Sequence, residues 1–325
     1  DAQLVFSYKS ASGTNSMVAL NTATMAAQGA AVTFPQFGTS GFADMIACKV
    51  GGLDAVAVLY AASAASYSVS FYRVDANGIT ASPLQTKAAF LGAANTEAVK
   101  LHLSADGTKL MAMGDTKFSV LDIASNVITS LDVAISTPSA VKLADYSTHA
   151  VALVAGGILV VSLLSQTQIA TRLLGFNGVV TLNTYTLAAP PGAGTICTGT
   201  VMCESGGNYY FAWATMATGA AGCNTVVDKL DANFVPVARK VAAATNYGNV
   251  NAVHGATYIV AGDRFLFVQS TRSDATDTRS QVHIFFLSDL SFVRNAGQIL
   301  FGSSPPKNKT VFSHGRLVET GTGGQ

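Results

Sequence analysis

The sequence predicts an all-β chain built from repeated, four-stranded antiparallel units, and three observations carry that prediction. Short apolar runs rich in Val, Ile, Ala and Leu recur throughout, bounded by Gly, Asn, Asp or Ser. No segment sets apolar residues at i, i+3, i+4, i+7 opposite charged ones, so a helical period is missing. Finally, a strand, a polar turn and a second strand return six times along the chain.

The copies are MVALNTATMAAQG from Met17, SFYRVDANGITASP from Ser70, FSVLDIASNVITSLDV from Phe118, ILVVSLLSQTQIATRL from Ile158, VVDKLDANFVPVARKV from Val226 and VHIFFLSDLSFVRNAG from Val282. They start roughly 40 to 68 residues apart, mostly near the length of one four-stranded repeat. Each turn carries Asp, Asn, Ser or Thr, whose side chains bond the local backbone. Upstream of five copies lies a second hairpin. The fullest unit is Glu97–Val133: strand EAVKLHL, turn Ser104–Gly107, then KLMAMG, FSVLDI and VITSLDV. Ala150–Leu164 reads as another hairpin, turned at Gly156-Gly157. At 15 residues it is too short for the roughly 20 a membrane helix needs.

The Glu97–Val133 unit resembles the repeats of lactonase-type and WD-repeat β-propellers, whose blades open on a strand, an s-x-D-G turn and a strand. That resemblance implies a six-bladed β-propeller over residues 1–318, with 319–325 a flexible tail. First strands align as ADMIACKVG, TEAVKLHLS, PSAVKLADY, GTVMCESGG, VNAVHGATY and KTVFSHGRL; the first and fourth share Cys-x-x-Gly-Gly, at Cys48 and Cys203. The last of them has no strands after it, and the N-terminal QLVFSYKS and SMVALNTAT have no first strand before them. The ring is therefore expected to close by pairing the C-terminal strand with the N-terminal ones, which removes exposed sheet edges. This composite is blade 1, so Asp44 opens blade 2 and Asn251 opens blade 6. Residues Phe176–Gly194 are unassigned and leave a seventh blade open.

Composition narrows the function classes. Of 325 residues 49% are hydrophobic and only 11% charged, with 19 basic against 18 acidic, a net charge of +1. A disordered chain needs the reverse balance, and a nucleic-acid binder needs a basic excess to neutralise phosphates. Low charge, abundant Ser and Thr and four cysteines fit a secreted or cell-surface protein. The chain opens at Asp1 without a starting Met, as expected after removal of a signal peptide or for a piece of something longer. One glycosylation sequon stands at Asn308.

Within blade 5, Cys197 is expected at the start of the first strand and Cys223 at the start of the third, on one face, and the pair is assigned a disulfide. Cys48 and Cys203, on opposite blades, are expected to be buried thiols, with a bridge across the channel as the alternative.

Catalytic motifs are sparse: no G-x-S-x-G, H-E-x-x-H, Walker loop or G-x-G-x-x-G occurs. The aligned first strands put Asp44, Glu97, Ser139, Thr200, Asn251 and Thr310 at equivalent starting positions. Asp44, Glu97 and Asn251 form a candidate oxygen set for calcium, matching the Glu, Asp and Asn ligands of the six-bladed lactonases the chain resembles. The plainer reading is that these residues line a wet channel and cap strand ends. His254 and His314 are candidate acid–base groups beside that set, or packing residues bonded to backbone carbonyls. No other cofactor is expected.

Two functions follow. The first is an extracellular, non-enzymatic binding, adhesion or assembly module. It would meet a protein or glycan partner at loops of one face, Ala188–Gly194 and Ser270–Arg279 among them, within a larger chain or assembly. The second is a calcium-dependent, lactonase-like hydrolase with its site at the channel mouth.

Overall fold

The computed structural model describes residues 3–9, 14–35, 42–95, 99–135, 149–190, 194–196, 199–217, 223–244, 253–273 and 278–301. All regular structure among them is β, arranged as six consecutive antiparallel sheets in the blade order of a six-bladed propeller. Blade 1 holds β1 (Gln3–Lys9), β2 (Asn15–Asn21) and β3 (Ala27–Thr33). Blade 2 runs β4 (Phe42–Val50), β5 (Leu53–Ser63), β6 (Ser66–Asp75), then an outer strand in two pieces, β7 (Gly78–Ile79) and β8 (Gln85–Leu91), both paired with β6. Blade 3 is β9 (Lys100–Leu103), β10 (Lys109–Met113), β11 (Lys117–Asp122) and β12 (Val127–Ala134). Blade 4 is β13 (His149–Val154), β14 (Gly157–Ser165), β15 (Gln168–Gly175) and β16 (Val180–Thr186).

Blade 5 has its first strand in two pieces, β17 (Gly194–Ile196) and β18 (Val201–Ser205), which pair in succession with β19 (Asn208–Ala217). Then come β20 (Cys223–Leu230) and β21 (Pro236–Ala244). Blade 6 is β22 (Val253–Ala261), β23 (Phe265–Ser273), β24 (Thr278–Phe286) and β25 (Phe292–Phe301). The strand expected around Thr310, and with it the ring closure, lies outside the described residues. The chain divides into two compact units, Asp1–Asp145 with Leu153–Ile158 and Leu173–Thr181, and Tyr146–Ala152 with Leu159–Arg172 and Leu182–Gln325.

Burial explains the apolar runs. In the first unit, all of Ala55–Ala61 on β5 is buried. Ala55, Ala57, Leu59 and Ala61 pack with Leu101, Leu110 and Leu121 of blade 3. Val56, Val58 and Tyr60 pack with Met17, Ala19 and Val32 of blade 1. A strand covered on both faces reads as continuous apolar sequence rather than alternation, and each fully buried Leu or Val contributes about 1.5–3 kcal/mol. The outer β12 alternates instead, with Val127 and Leu131 more than half exposed. In the second unit, Tyr210, Ala212 and Val227 of blade 5 pack with Leu266, Val268 and Phe285 of blade 6.

The expected turns are built as the residue types dictate. Asp75, Asp106, Asp122, Asp231 and Asp289 each accept backbone N–H groups two to four residues ahead. The Asp122 and Asp289 carboxyls are thereby held below the usual carboxylate range, and that of Asp106 chiefly by the Ser104 hydroxyl with the Thr108 N–H adding to it.

Two expectations need correcting, both at blade 4. Its repeat copy, Ile158–Leu173, forms the second and third strands of a four-stranded sheet, whereas each of the other five copies forms the last two strands of its sheet. The tight turn Gln166–Thr167, bonded to Ser165 Oγ, looks like the outer turns of the other blades, so sequence pattern alone slips by one strand. Among the described residues the first strand is β13; residues 138–146, where the sequence expected it, lie outside them. The unassigned stretch holds β16, the fourth strand of this same blade, rather than the start of a seventh.

Candidate functional site

Of the expected cation set, Glu97 and Asn251 lie outside the described residues, as do Ser139 and Thr310. Asp44 sits near the start of β4, where Oδ2 accepts the Leu101 N–H at 2.9 Å and Oδ1 accepts the Met45 N–H at 3.0 Å. Its carboxylate thus ties the first strand of blade 2 to that of blade 3. The neighbouring His102 is pushed down to about 4, chiefly by burial, with Asp44 opposing and Lys100 adding to the shift. Thr200 is buried with no hydrogen-bond partner for its hydroxyl, beside a cavity of about 280 Å³ lined also by Met202 and Tyr258. Among the described residues, no three His, Cys, Asp or Glu side chains gather as a metal site.

The backbone of His254 pairs with Arg272 across β22 and β23. Its side chain lies outside the described residues, as do His314 and the sequon Asn308. The disulfide assignment also falls there, on Cys197 and the Cys223 side chain. The ladder beside them sets Thr195 and Cys223 on opposite sides of Met216. Cys48 and Cys203 are free thiols, pushed up to about 11 and about 12, largely by burial.

Two polar networks that sequence reasoning missed lie in the second unit. Asp228 and Arg239 face each other across β20 and β21. Arg239 Nε and Nη2 donate to the two carboxylate oxygens at 2.6 and 2.9 Å, and Trp213 Nε1 donates at 2.9 Å. Arg239 Nη1 also reaches the Gln166 and Ala188 carbonyls of blade 4, at 2.7 and 2.8 Å. Burial pushes the Asp228 carboxyl up, and Arg239 and Trp213 pull against it. With N–H donors on both oxygens the surroundings are built for the carboxylate.

In blade 6, Ser270 Oγ lies 2.8 Å from His283 Nε2, and His283 Nδ1 lies 2.7 Å from Asn295 Oδ1. This order of hydroxyl, imidazole and orienting amide has the connectivity of a nucleophile–base relay. It is closed to substrate, however, because Ser270 is 3% and His283 0% exposed. Burial pushes His283 down to about 4, with Asn295 opposing.

Among the described residues of this unit, a cleft of about 680 Å³ opens where three turns of blades 5 and 6 meet. Ser205, Gly206 and Asn208 come from the β18–β19 turn, Asp263 and Arg264 from the β22–β23 turn, and Phe286, Leu287 and Ser288 from the start of the β24–β25 turn. Tyr210 and Lys229, cross-strand partners on β19 and β20, complete it. Tyr210 joins the two blades through its hydroxyl, which donates to the Leu287 carbonyl at 3.4 Å. Lys229 lies over the Tyr210 ring at 5.7 Å and Arg264 over the Phe265 ring at 5.6 Å. The loop after Ser273 and the connection after Ala188 leave from the opposite ends of their strands, so this cleft is not at the face the sequence favoured.

No protein-family profile matches the chain, and no curated protein matches it. Among solved structures it is similar to a putative 6-phosphogluconolactonase from Bacteroides uniformis, at 12% identity, over 94% of this chain and 85% of that one, with a TM-score of 0.49. It is also similar to the WD40 domain of SCAP from fission yeast, at 8% identity, over 90% and 75%, TM-score 0.46. A eukaryotic initiation factor matches at 16% identity over 92% of this chain, TM-score 0.46; the chain spans 65% of that structure. With likenesses this distant, the fold rests on the six sheets and their order.

Proposed function

We propose that this chain is a non-enzymatic binding module of an extracellular or cell-surface setting, engaging a protein or glycan partner through the cleft between the turns of blades 5 and 6. The cleft itself carries the reading: two cations and several hydroxyl and amide groups gather there from three hairpin turns and an adjoining strand, in a chain only 11% charged. Clefts of this size with a few convergent polar groups are ordinary ligand sites. Among the described residues, two groups suited to acid–base chemistry, Asp228 and His283, are folded into the sheets with both polar atoms of each bonded to protein.

The test is retention of the labelled chain on an array of neutral and acidic oligosaccharides, with the Ser288→Trp variant alongside. Retention that the variant loses supports the reading; retention that the variant keeps moves the partner off the cleft. Calcium-stimulated opening of a sugar lactone by the purified chain would establish the hydrolase instead.

A further inference from the structure

The geometry points to an acidic saccharide of the uronic-acid class as the ligand of this cleft, an inference that rests on the binding reading above. Lys229 and Arg264 are matched by one acid in the lining, Asp263, while Ser205, Asn208 and Ser288 add neutral hydrogen-bonding groups. A ligand complementary to that set carries an anionic group for the two cations and hydroxyls for the neutral side chains. A sugar acid presents both on one rigid ring.

An acidic peptide laid in as an added strand is the poorer match, because that mode holds it through main-chain hydrogen bonds at a free sheet edge. Here the turn backbone is already engaged. Leu287 N–H donates to the Arg264 carbonyl at 2.9 Å, Phe286 N–H to Ser291 at 2.9 Å and Gly262 N–H to Phe265 at 2.8 Å. Gly207 N–H donates to Glu204 Oε1 at 2.8 Å. Recognition therefore falls to side chains.

The experiment is calorimetric titration of the full chain with trigalacturonate, its neutral methyl ester and hexaglutamate, at low and high salt. Trigalacturonate is expected to bind about ten-fold more tightly than the ester, with Lys229→Met and Arg264→Met each removing that advantage and salt weakening it. Thermal melts confirm that both variants fold, as expected for side chains at a cleft rim. Equal binding of acid and ester, lost in Ser288→Trp, overturns the charge assignment and leaves the binding module standing. Hexaglutamate binding as tightly as trigalacturonate overturns the saccharide in favour of an acidic peptide. Binding of neither sugar form overturns it too, leaving a protein partner for the module. Full affinity for trigalacturonate in both methionine variants removes Lys229 and Arg264 from the site.

Discussion

Replacing Arg239 by Met strips four hydrogen bonds from one side chain and leaves Asp228 buried with a single donor, Trp213 Nε1. The pair is shielded from water, with side-chain exposure of 8% for Arg239 and 0% for Asp228. Removing one partner of such a pair costs about 3–5 kcal/mol, because the remaining charge stays buried without compensation. An exposed pair such as Lys49–Asp54 would lose far less, because water screens both charges. Replacing both partners with apolar residues, Asp228→Leu with Arg239→Met, is expected to recover most of the loss, since no orphaned charge remains. The assay is urea unfolding followed by Trp fluorescence, and the one tryptophan of the chain, Trp213, sits in this network with Arg239 at 5.2 Å over its ring. With a slope of about 3 kcal/mol/M the Arg239→Met midpoint falls by about 1 M or more. A loss below about 1 kcal/mol, or a double variant whose loss equals the sum of the singles, would refute the argument that this is a desolvated, coupled pair.

His283 binds its proton at about pH 4 in the folded chain against 6.5 when free, so the unfolded chain holds more protons between those values. Stability therefore rises with pH across that window and is lost on acidification, by about 3 kcal/mol at 1.36 kcal/mol per pH unit. Urea midpoints at pH 7 and 4.5 should converge in His283→Gln, with His102 retaining part of the slope; an unchanged slope refutes the assignment. Gly178 adopts φ 81° with a Cβ position already occupied by Ser130 Oγ, so Gly178→Ala should cost about 1–3 kcal/mol in the same assay, and a neutral result refutes it. Cys48 and Cys203, raised by burial, should resist a thiol reagent until the chain unfolds, read by peptide mapping of the labelled sites; rapid labelling of either in the folded chain refutes their burial.

Local chemistry was the legible part of the fold. The shared Cys-x-x-Gly-Gly phrase marks the same two-residue turn twice, with Gly51, Gly52, Gly206 and Gly207 all at positive φ and Cys48 and Cys203 at matching positions before it. Blade 4 was misread because the strongest repeat signal there came from the wrong hairpin. A better ruler exists in the backbone. Met25, Gly78, Asn126, Gly178, Phe234 and Leu290 each stand at positive φ in the last turn of their blade, roughly fifty residues apart. Three of the six are Met, Phe and Leu, which carry no turn signal, so the period was hidden from composition. Long-range sites were illegible for a similar reason. Asp228 and Arg239 meet only through a strand register, and the cleft draws on three turns separated by dozens of residues. Asp44 lies near the start of β4, and its bond to Leu101 N–H needed the neighbouring sheet in place.

The alternating allegiance of Ala55–Ala61 has a consequence for how the first unit comes apart. Four of these side chains belong with blade 3 and three with blade 1, so blade 2 owns neither of its faces. A blade peeled away would lose both cores at once, whereas opening one inter-blade seam spares the other. The natural cooperative boundary is then a plane running along the face of a sheet, not the loop that joins two repeats. Amide exchange along β5 would follow the firmer of its two seams, and inserting or deleting a single repeat would force two old surfaces, never previously in contact, to mate.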